Sequence, residues 1–185
     1  MTTSAQATTV STWAPDLSHS EVTFKVKHMM ISTVSGRFNA FNAEVNNFNG
    51  SNLKDASIYF SAETASVNTG NDQRDAHLRS ADFFDSENFN HLTFQSASIE
   101  KKNDHAYEIT GDLNIRGTVK STRFQVEFGG VLNDPWGNAK AGFTIEGKIN
   151  RTDFGLNWNA ALEAGGWLVA EEVKILAEVQ LVKQA

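Results

Sequence analysis

The sequence predicts an all-β protein, an extended antiparallel barrel of eight strands with a short helical insertion near residues 72–80. The first observation is that apolar and polar residues alternate in about eight segments, which is typical of strands with one dry face. The second is that turns or short loops join nearly all of these segments. The third is their length, since a strand of about ten residues is over 30 Å long, and long curved strands favour closure into a barrel.

Residues 21–45 set this pattern at the beginning of the chain. In the first run, the side chains of every second residue point to the same side of the strand, namely those of Val22, Phe24, Val26 and His28. The alternation slips between Ala40 and Phe41, which predicts a bulge or bend in the second run. We place the break between the two runs near Gly36.

Further strands are predicted over residues 57–65, 91–101, 106–116, 119–131, 139–150 and 171–183, with a polar loop over 46–55. The helical insertion is predicted over 73–80, because Asn71 or Asp72 can cap it by accepting backbone N–H bonds. This helix and the aromatic loop after it are expected to close one end of a barrel. No long segment shows a period of 3.6 residues, which excludes a helical fold. A β-sandwich stays open, since periodicity alone does not show closure.

Size and composition indicate one domain and exclude several classes of function. The chain has 185 residues, enough for one domain with a substantial core. Its net charge of −6 argues against nucleic-acid binding, because an acidic surface repels phosphate backbones. No apolar run approaches the roughly 20 residues of a membrane-spanning helix. There is no cysteine, so disulfide and thiolate chemistry are excluded.

The N-terminal segment, residues 1–12, is polar and is expected to be flexible, with a single domain over residues 13–185. It has neither the basic start nor the apolar middle of an intact signal peptide. The compartment therefore stays unknown: the cytoplasm if Met1 is the native start, and the periplasm if a leader was removed.

Motifs of catalysis are missing from the sequence. No G-x-S-x-G turn or phosphate-binding glycine loop occurs. Asp75 and His77 lie two apart on the predicted helix, on different faces, so we expect no metal site. Apolar strands with few polar groups favour a small-molecule binder over an enzyme. Two alternatives stay open, an enzyme built on His28 with a carboxylate, and a structural module with a solid core.

Five segments together resemble the YceI-like family, the lipocalin-like polyisoprenoid-binding proteins. They are HSEVTFKVKHMMISTVSGRF (19–38) with Trp13 before it, RDAHLRSADFFD (74–85), LTFQS (92–96), YEITGDLNIRG (107–117) and NRTDFGLNW (150–158). The resemblance implies a lipocalin-like barrel around a long apolar tunnel. It further implies a ligand such as a polyisoprenoid, an isoprenoid quinone or a fatty amphiphile, with no cofactor required. Many members of this family are bacterial periplasmic proteins, and some are homodimers.

On this interpretation the apolar residues expected to line or cap the tunnel are Phe24, Val26, Phe38, Phe41, Phe83, Phe84, Phe143, Ile145 and Trp158. His28, Arg74 and Arg151 are the candidates for binding a polar or anionic head group at its mouth. For Arg151 two interpretations stay open. It pairs with Asp153 to brace a turn, or it places a positive charge at the mouth of the cavity.

Overall fold

The computed structural model describes residues 12–185, so the expected flexibility of segment 1–12 lies outside the described residues, except that Thr12 begins the first strand. The strands are β1 (Thr12–Pro15), β2 (Glu21–His28), β3 (Ser32–Phe38), β4 (Phe41–Asn46), β5 (Ser57–Glu63), β6 (Val67–Asn68), β7 (His91–Lys101), β8 (Ala106–Ile115), β9 (Thr118–Asn133), β10 (Ala139–Asn150) and β11 (Val169–Lys183). The helix α1 (Asp72–Arg79) follows β6, and 3-10 turns occupy Leu17–His19, Thr64–Ser66 and Arg151–Phe154.

The wall is a closed antiparallel barrel of eight strands, in which two wall strands are each interrupted once. β1 and β2 are the halves of one wall strand, and β3 and β4 are the halves of the next. The ring runs β1–β4–β5–β7–β8–β9–β10–β11 and closes because β1 also pairs with β11, with Trp13 opposite Lys183. The predicted barrel is confirmed, and the sandwich is excluded.

The first hairpin corrects one prediction and confirms another. Gly36 lies inside β3 and not at a turn, since the hairpin between β2 and β3 turns at residues 29–31. Gly36 lies opposite Phe24, and a Cβ built on it would come within 2.4 Å of Cζ of that ring. The glycine therefore makes room for an aromatic side chain. The predicted bend between Ala40 and Phe41 is present as the break between β3 and β4.

One end of the barrel is closed by the loop over residues 47–56, which folds inward. Phe48 in this loop is fully buried, and its ring centroid lies 5.0 to 5.7 Å from those of three other aromatic residues. Together these residues form the aromatic plug, which consists of Trp13, Phe48, Phe128 and Phe143. The indole Nε1 of Trp13 donates a hydrogen bond to the Phe48 carbonyl at 3.1 Å. We refer to this end as the closed end.

The other end, the open end, carries α1 as the sequence predicted, shifted by one residue. The Asn71 side chain caps the helix by accepting a hydrogen bond from the Arg74 N–H at 2.9 Å. The helix ends at Arg79, after which the Ser80 N–H donates to the His77 carbonyl. The β2–β3 hairpin and the loop between β10 and β11 lie at the same end of the barrel. These segments surround the opening described next.

Candidate ligand-binding cavity

The barrel encloses a cavity of about 630 Å³, which is within the usual size range of small-molecule sites. Its lining is almost entirely apolar and comes from the inward-facing residues of the wall strands. On β11 these are Val173, Ile175, Ala177, Val179 and Leu181, every second residue of the strand. With a rise of about 3.3 Å per residue and a strand tilt of about 40°, this stretch spans roughly 20 Å along the barrel axis. The solid-cored alternative is therefore wrong.

All but one of the site residues proposed from sequence line this cavity. They are Phe24, Val26, His28, Phe38, Arg74, Phe83, Phe84, Phe143, Ile145, Arg151 and Trp158. The prediction is wrong for Phe41, whose ring lies 6.1 Å from that of Phe60 and borders a shallow outer groove. Phe41 begins β4 at the interruption of the wall, where its side chain packs against the core beside Phe60 and borders a separate pocket that the 3-10 turn Leu17–His19 also lines.

The charge of the cavity differs from the charge of the whole chain. Two arginines and two histidines line it, Arg74, Arg151, His28 and His77. Within residues 12–185 no aspartate or glutamate lines it, although the chain as a whole has a net charge of −6. The cavity therefore presents positive charge to a ligand, and His28 has no carboxylate partner in the described lining.

Arg151 is 5% exposed and fixes the backbone at the open end. Its Nε donates to the Ala170 carbonyl at 2.8 Å, and its Nη2 donates to the Val169 carbonyl at 3.2 Å. Its Nη1 donates to the carbonyls of Leu156 and Trp158, at 2.6 and 2.9 Å. One guanidinium therefore joins the segment after β10 to the beginning of β11.

The positive charge of Arg151 has only neutral hydrogen-bond partners. No ion pair joins it to Asp153 in the described part of the chain, so the interpretation of an Arg–Asp brace is wrong. Burial lowers the pKa of the Arg151 guanidinium, and the charge of Glu171 opposes that effect. The guanidinium carbon lies 6.0 Å from the centre of the Phe83 ring, at the inner side of the mouth. Arg151 lines the cavity, as the second interpretation requires, and binding of a head group by its charge stays a prediction.

Arg74 lies on the rim and is held by Thr69. Its Nε donates to Oγ1 of Thr69 at 2.7 Å, and its Nη2 donates to the Thr69 carbonyl at 3.1 Å. Thr69 is held in turn by the buried carboxylate of Asp75, which accepts bonds from its N–H and hydroxyl at 2.8 and 2.6 Å. Within the described residues, Nη1 of Arg74 makes no hydrogen bond. Asp75 therefore positions the rim guanidinium through Thr69.

A second aromatic group covers part of the mouth. The imidazole of His77 lies 4.6 Å from the indole of Trp158 and 5.1 Å from the Phe83 ring. We call these three residues the aromatic cap. Nε2 of His77 lies 2.8 Å from a carboxylate oxygen of Asp82. Sequence reasoning considered His77 only as a metal ligand and missed its place in the cavity wall.

Neither a cluster of metal ligands nor a bilayer-spanning helix occurs among the described residues. No three His, Cys, Asp or Glu side chains among residues 12–185 come together in a way that could hold a metal ion. Neither α1 nor any 3-10 turn of this part of the chain has the length and apolar character of a bilayer-spanning helix.

Comparison with known proteins identifies the family of this chain. The model of the YceI-like domain matches residues 13–181. A UPF0312 protein of Staphylococcus aureus (strain bovine RF122 / ET3-1) is 37% identical over 169 residues, covering 89% of this chain and 94% of that protein.

Solved structures share the fold. The Campylobacter jejuni YCEI protein is 30% identical, with a TM-score of 0.75 over 87% of this chain and 91% of its own. Burkholderia cenocepacia BcnA is 25% identical, with a TM-score of 0.76 over 90% and 98%. A polyisoprenoid binding domain from Saccharophagus degradans is 13% identical, with a TM-score of 0.63 over 93% and 98%, and shares the fold alone. The barrel, its cavity and the family match agree, and this chain belongs to the YceI-like family.

Proposed function

We propose that this chain binds a long apolar amphiphile, a polyisoprenoid, an isoprenoid quinone or a similar lipid, for transport or storage. The observation that carries the proposal is the deep apolar cavity of about 630 Å³, open at one end. A flexible hydrocarbon tail occupies the barrel, and the polar head remains at the open end. No cofactor is required, since binding is the whole of the proposed activity.

Burial of the tail supplies the binding free energy. A prenyl chain has no hydrogen-bonding groups, so only removal of its surface from water holds it in place. At about 25 cal/mol per Å², several hundred Å² of buried apolar surface contributes on the order of 10 kcal/mol before the costs of association. The wall provides matching aliphatic and aromatic side chains along its length.

The open end favours a head group that is polar or anionic. Arg74 on the rim and Arg151 at the inner side of the mouth are both positively charged, and their hydrogen-bond partners are neutral. No carboxylate in the described lining would repel an anion. His28 and His77 add hydrogen-bonding groups at the same end. Arginine forms paired hydrogen bonds with carboxylates and phosphates, which suits either head group.

The fold neighbours support the ligand class. The Saccharophagus degradans domain is described as polyisoprenoid binding, and at 13% identity its likeness to this chain is one of fold. For this chain, the ligand class is therefore proposed from the cavity, and the neighbour supports it only through the shared fold.

The test is native mass spectrometry of the purified chain, with lipid extraction, on two neighbouring tryptophan variants. Val34 and Thr33 are adjacent on β3, but Val34 faces the cavity and Thr33 is exposed on the outside. We expect a bound lipid mass in the wild type and in Thr33→Trp, and its loss or marked weakening in Val34→Trp, whose indole obstructs the part of the cavity next to the mouth. Circular dichroism checks that both variants fold.

Two results contradict the proposal. A folded Val34→Trp variant that retains the same lipid would show that the ligand lies elsewhere. A wild-type chain that carries no lipid and takes up no added polyisoprenoid or quinone would show that the cavity serves another purpose.

A further inference from the structure

The tip of the β2–β3 hairpin exposes large apolar side chains. Met30 is 72% exposed and Ile31 is 81% exposed, and Met29 beside them is also exposed. Met29 and Met30 have φ angles of 53° and 62°, a left-handed conformation that is uncommon for residues with a side chain. The Met29 N–H donates to the Leu168 carbonyl at 2.7 Å, beside the exposed Trp167. We call Met29, Met30, Ile31 and Trp167 the apolar tip.

The apolar tip borders the mouth of the cavity. His28 precedes Met29, Leu168 follows Trp167, and both His28 and Leu168 line the cavity. Adjacent exposed apolar side chains cost free energy in water, and so does the left-handed backbone that displays them. The apolar tip therefore lies where a ligand would enter or leave the cavity, and its side chains are placed to contact another apolar surface at that point.

The outer wall next to the tip carries a row of lysines. Lys25 lies directly opposite Lys174, and Lys174 lies directly opposite Lys148 on the next strand. Lys27 follows on the same face of β2. Like charges opposite one another destabilise a sheet, so folding alone gives no reason for this row. We call these four residues the lysine face.

Acidic neutralisation of the lysine face is incomplete. Lys148 pairs with Glu172 at 3.4 Å. Glu171 is close to the same bulge of β11, where it accepts a hydrogen bond of 3.3 Å from the Asn150 side chain. Lys25, Lys27 and Lys174 make no ion pair within residues 12–185. Glu146 is also exposed on this face, two residues from Lys148 on β10, so the four lysines face three nearby glutamates (Glu146, Glu171 and Glu172) and leave a small positive excess, although the net charge of the chain is −6.

We infer that the apolar tip and the lysine face form one docking surface for an anionic lipid bilayer. Apolar side chains that enter the interface, together with lysines at head-group level, are the combination by which proteins bind such membranes. Lys25 is four residues from Met29 along β2, about 13 Å at a rise of about 3.3 Å per residue. Tip residues inserted by about 5–10 Å therefore leave the lysines at the level of the lipid phosphates.

Other occupants fit these observations less well. A second copy docked about a two-fold axis would bring the lysine face against itself. An acidic protein would neutralise the lysines but gives no reason for large apolar residues around the opening of a lipid-sized cavity. A bilayer accounts for both, because an insoluble ligand can then pass between membrane and barrel without crossing water. This purpose rests on the proposed function, whereas the docking itself does not.

The test is flotation of the full chain, stripped of lipid, with vesicles of phosphatidylcholine alone or mixed with phosphatidylglycerol. We expect at least about tenfold stronger partitioning onto the anionic vesicles, weakened by added salt. The double variant Met30→Ser/Ile31→Ser lowers partitioning by about tenfold or more, because two apolar side chains no longer insert. The double variant Lys25→Gln/Lys174→Gln lowers it by about tenfold on anionic vesicles alone.

Matched controls lie at the closed end. Leu132 and Trp136 are 80% and 83% exposed at the β9–β10 turn, so Leu132→Ser/Trp136→Ser removes a comparable apolar surface. Lys54→Gln/Lys183→Gln removes the same charge. Both controls are expected to partition like the wild type. Equal losses in these controls, or no wild-type binding to either vesicle, would overturn the inference.

The remaining outcomes also decide between occupants. Binding to anionic vesicles that needs the lysines but is unaffected by Met30→Ser/Ile31→Ser would overturn insertion of the apolar tip, since electrostatic attraction alone would then account for the contact. A dimer in solution that this apolar variant abolishes would assign the tip to a second copy. The chain is stripped of lipid before flotation, so the docking test does not depend on a bound ligand. If the chain binds vesicles but the mass-spectrometry test finds no lipid ligand, the docking inference stands and the proposed function is wrong.

Discussion

The two ends of the barrel use aromatic side chains in different ways. At the closed end the rings of the aromatic plug belong to β1, β9, β10 and the inward-folded loop, and all are buried. At the open end the aromatic cap belongs to α1 and two loops, and His77 and Trp158 are only half-buried. Fully buried rings packed on one another stabilise the fold, whereas the half-buried rings of His77 and Trp158 bury less surface and are expected to contribute less. The difference predicts that the closed end contributes more to stability, and that the proposed ligand enters at the open end.

The largest expected effect tests this assignment by removing one ring from each end. Phe48→Ala leaves a cavity among fully packed rings and should lower the free energy of unfolding by about 3–5 kcal/mol. Trp158→Ala removes a half-buried side chain, and we expect a loss of at most about 2 kcal/mol. Urea denaturation measures both. The exposed Trp136→Ala is the control and should change the free energy by less than about 0.5 kcal/mol.

An equal loss of stability in Phe48→Ala and Trp158→Ala would contradict the comparison. It would show that the cap is as much a part of the folding core as the plug. A ligand-exchange measurement on Trp158→Ala would sharpen the comparison, because loss of the cap should speed dissociation of the lipid.

The next effect concerns the guanidinium that organises the open end. Arg151→Met removes a donor from four buried or part-buried carbonyl groups, of which only that of Val169 keeps a second donor, Asn159, and we expect a loss of about 2–4 kcal/mol in urea denaturation. Hydrogen exchange should become faster at residues 156–158 and 169–170, with little change at the closed end. Arg151→Lys should restore the charge without restoring these bonds, since an ammonium group lacks the planar fork. Full rescue by lysine would show that charge, not geometry, is what Arg151 provides.

The wall of the barrel could be predicted from sequence because a strand records its two faces in alternate residues. The predicted bounds of β7 and β10 match the structure, and α1 is displaced by one residue. The same alternation identified which residues of β2 and β10 face the cavity, among them Phe24 and Ile145. The sequence pattern was sufficient for these strands because successive side chains point alternately into the cavity and out to the exterior.

The parts that failed depend on long-range contacts. The turn at Met29–Ile31 has no turn-forming residues, and it is fixed from outside by the bond from Met29 to Leu168. Phe48 lies in a polar loop, where one ring has no period to reveal its burial. His77 lines the cavity because the helix packs against the mouth, which spacing along the chain does not encode. The ligand, the compartment and a homodimer stay predictions.

The smallest effect concerns a charge that ties the closed end together. Asp16 follows β1, and its carboxylate accepts a hydrogen bond from Lys140 on β10 at 2.6 Å, with Ser18 and His19 nearby. The hydrogen bond from Lys140 holds the pKa of Asp16 well below its usual range. A lowered carboxyl pKa stabilises the fold above the unfolded pKa of about 3.9, and the contribution is lost as the pH falls from there towards the lower pKa of the folded state.

Asp16→Asn should therefore lower the free energy of unfolding by about 1 kcal/mol near pH 7. The decrease should be smaller below about pH 4, because the contribution of the wild-type Asp16 charge to stability declines there. Urea denaturation at several pH values measures the difference. Asp104→Asn is the control, because its exposed pair with Lys101 contributes little and its loss should leave stability almost unchanged. A difference between wild type and Asp16→Asn that is constant with pH would mean that shape, not charge, joins β1 to β10. The closed end would then be stabilised by packing alone.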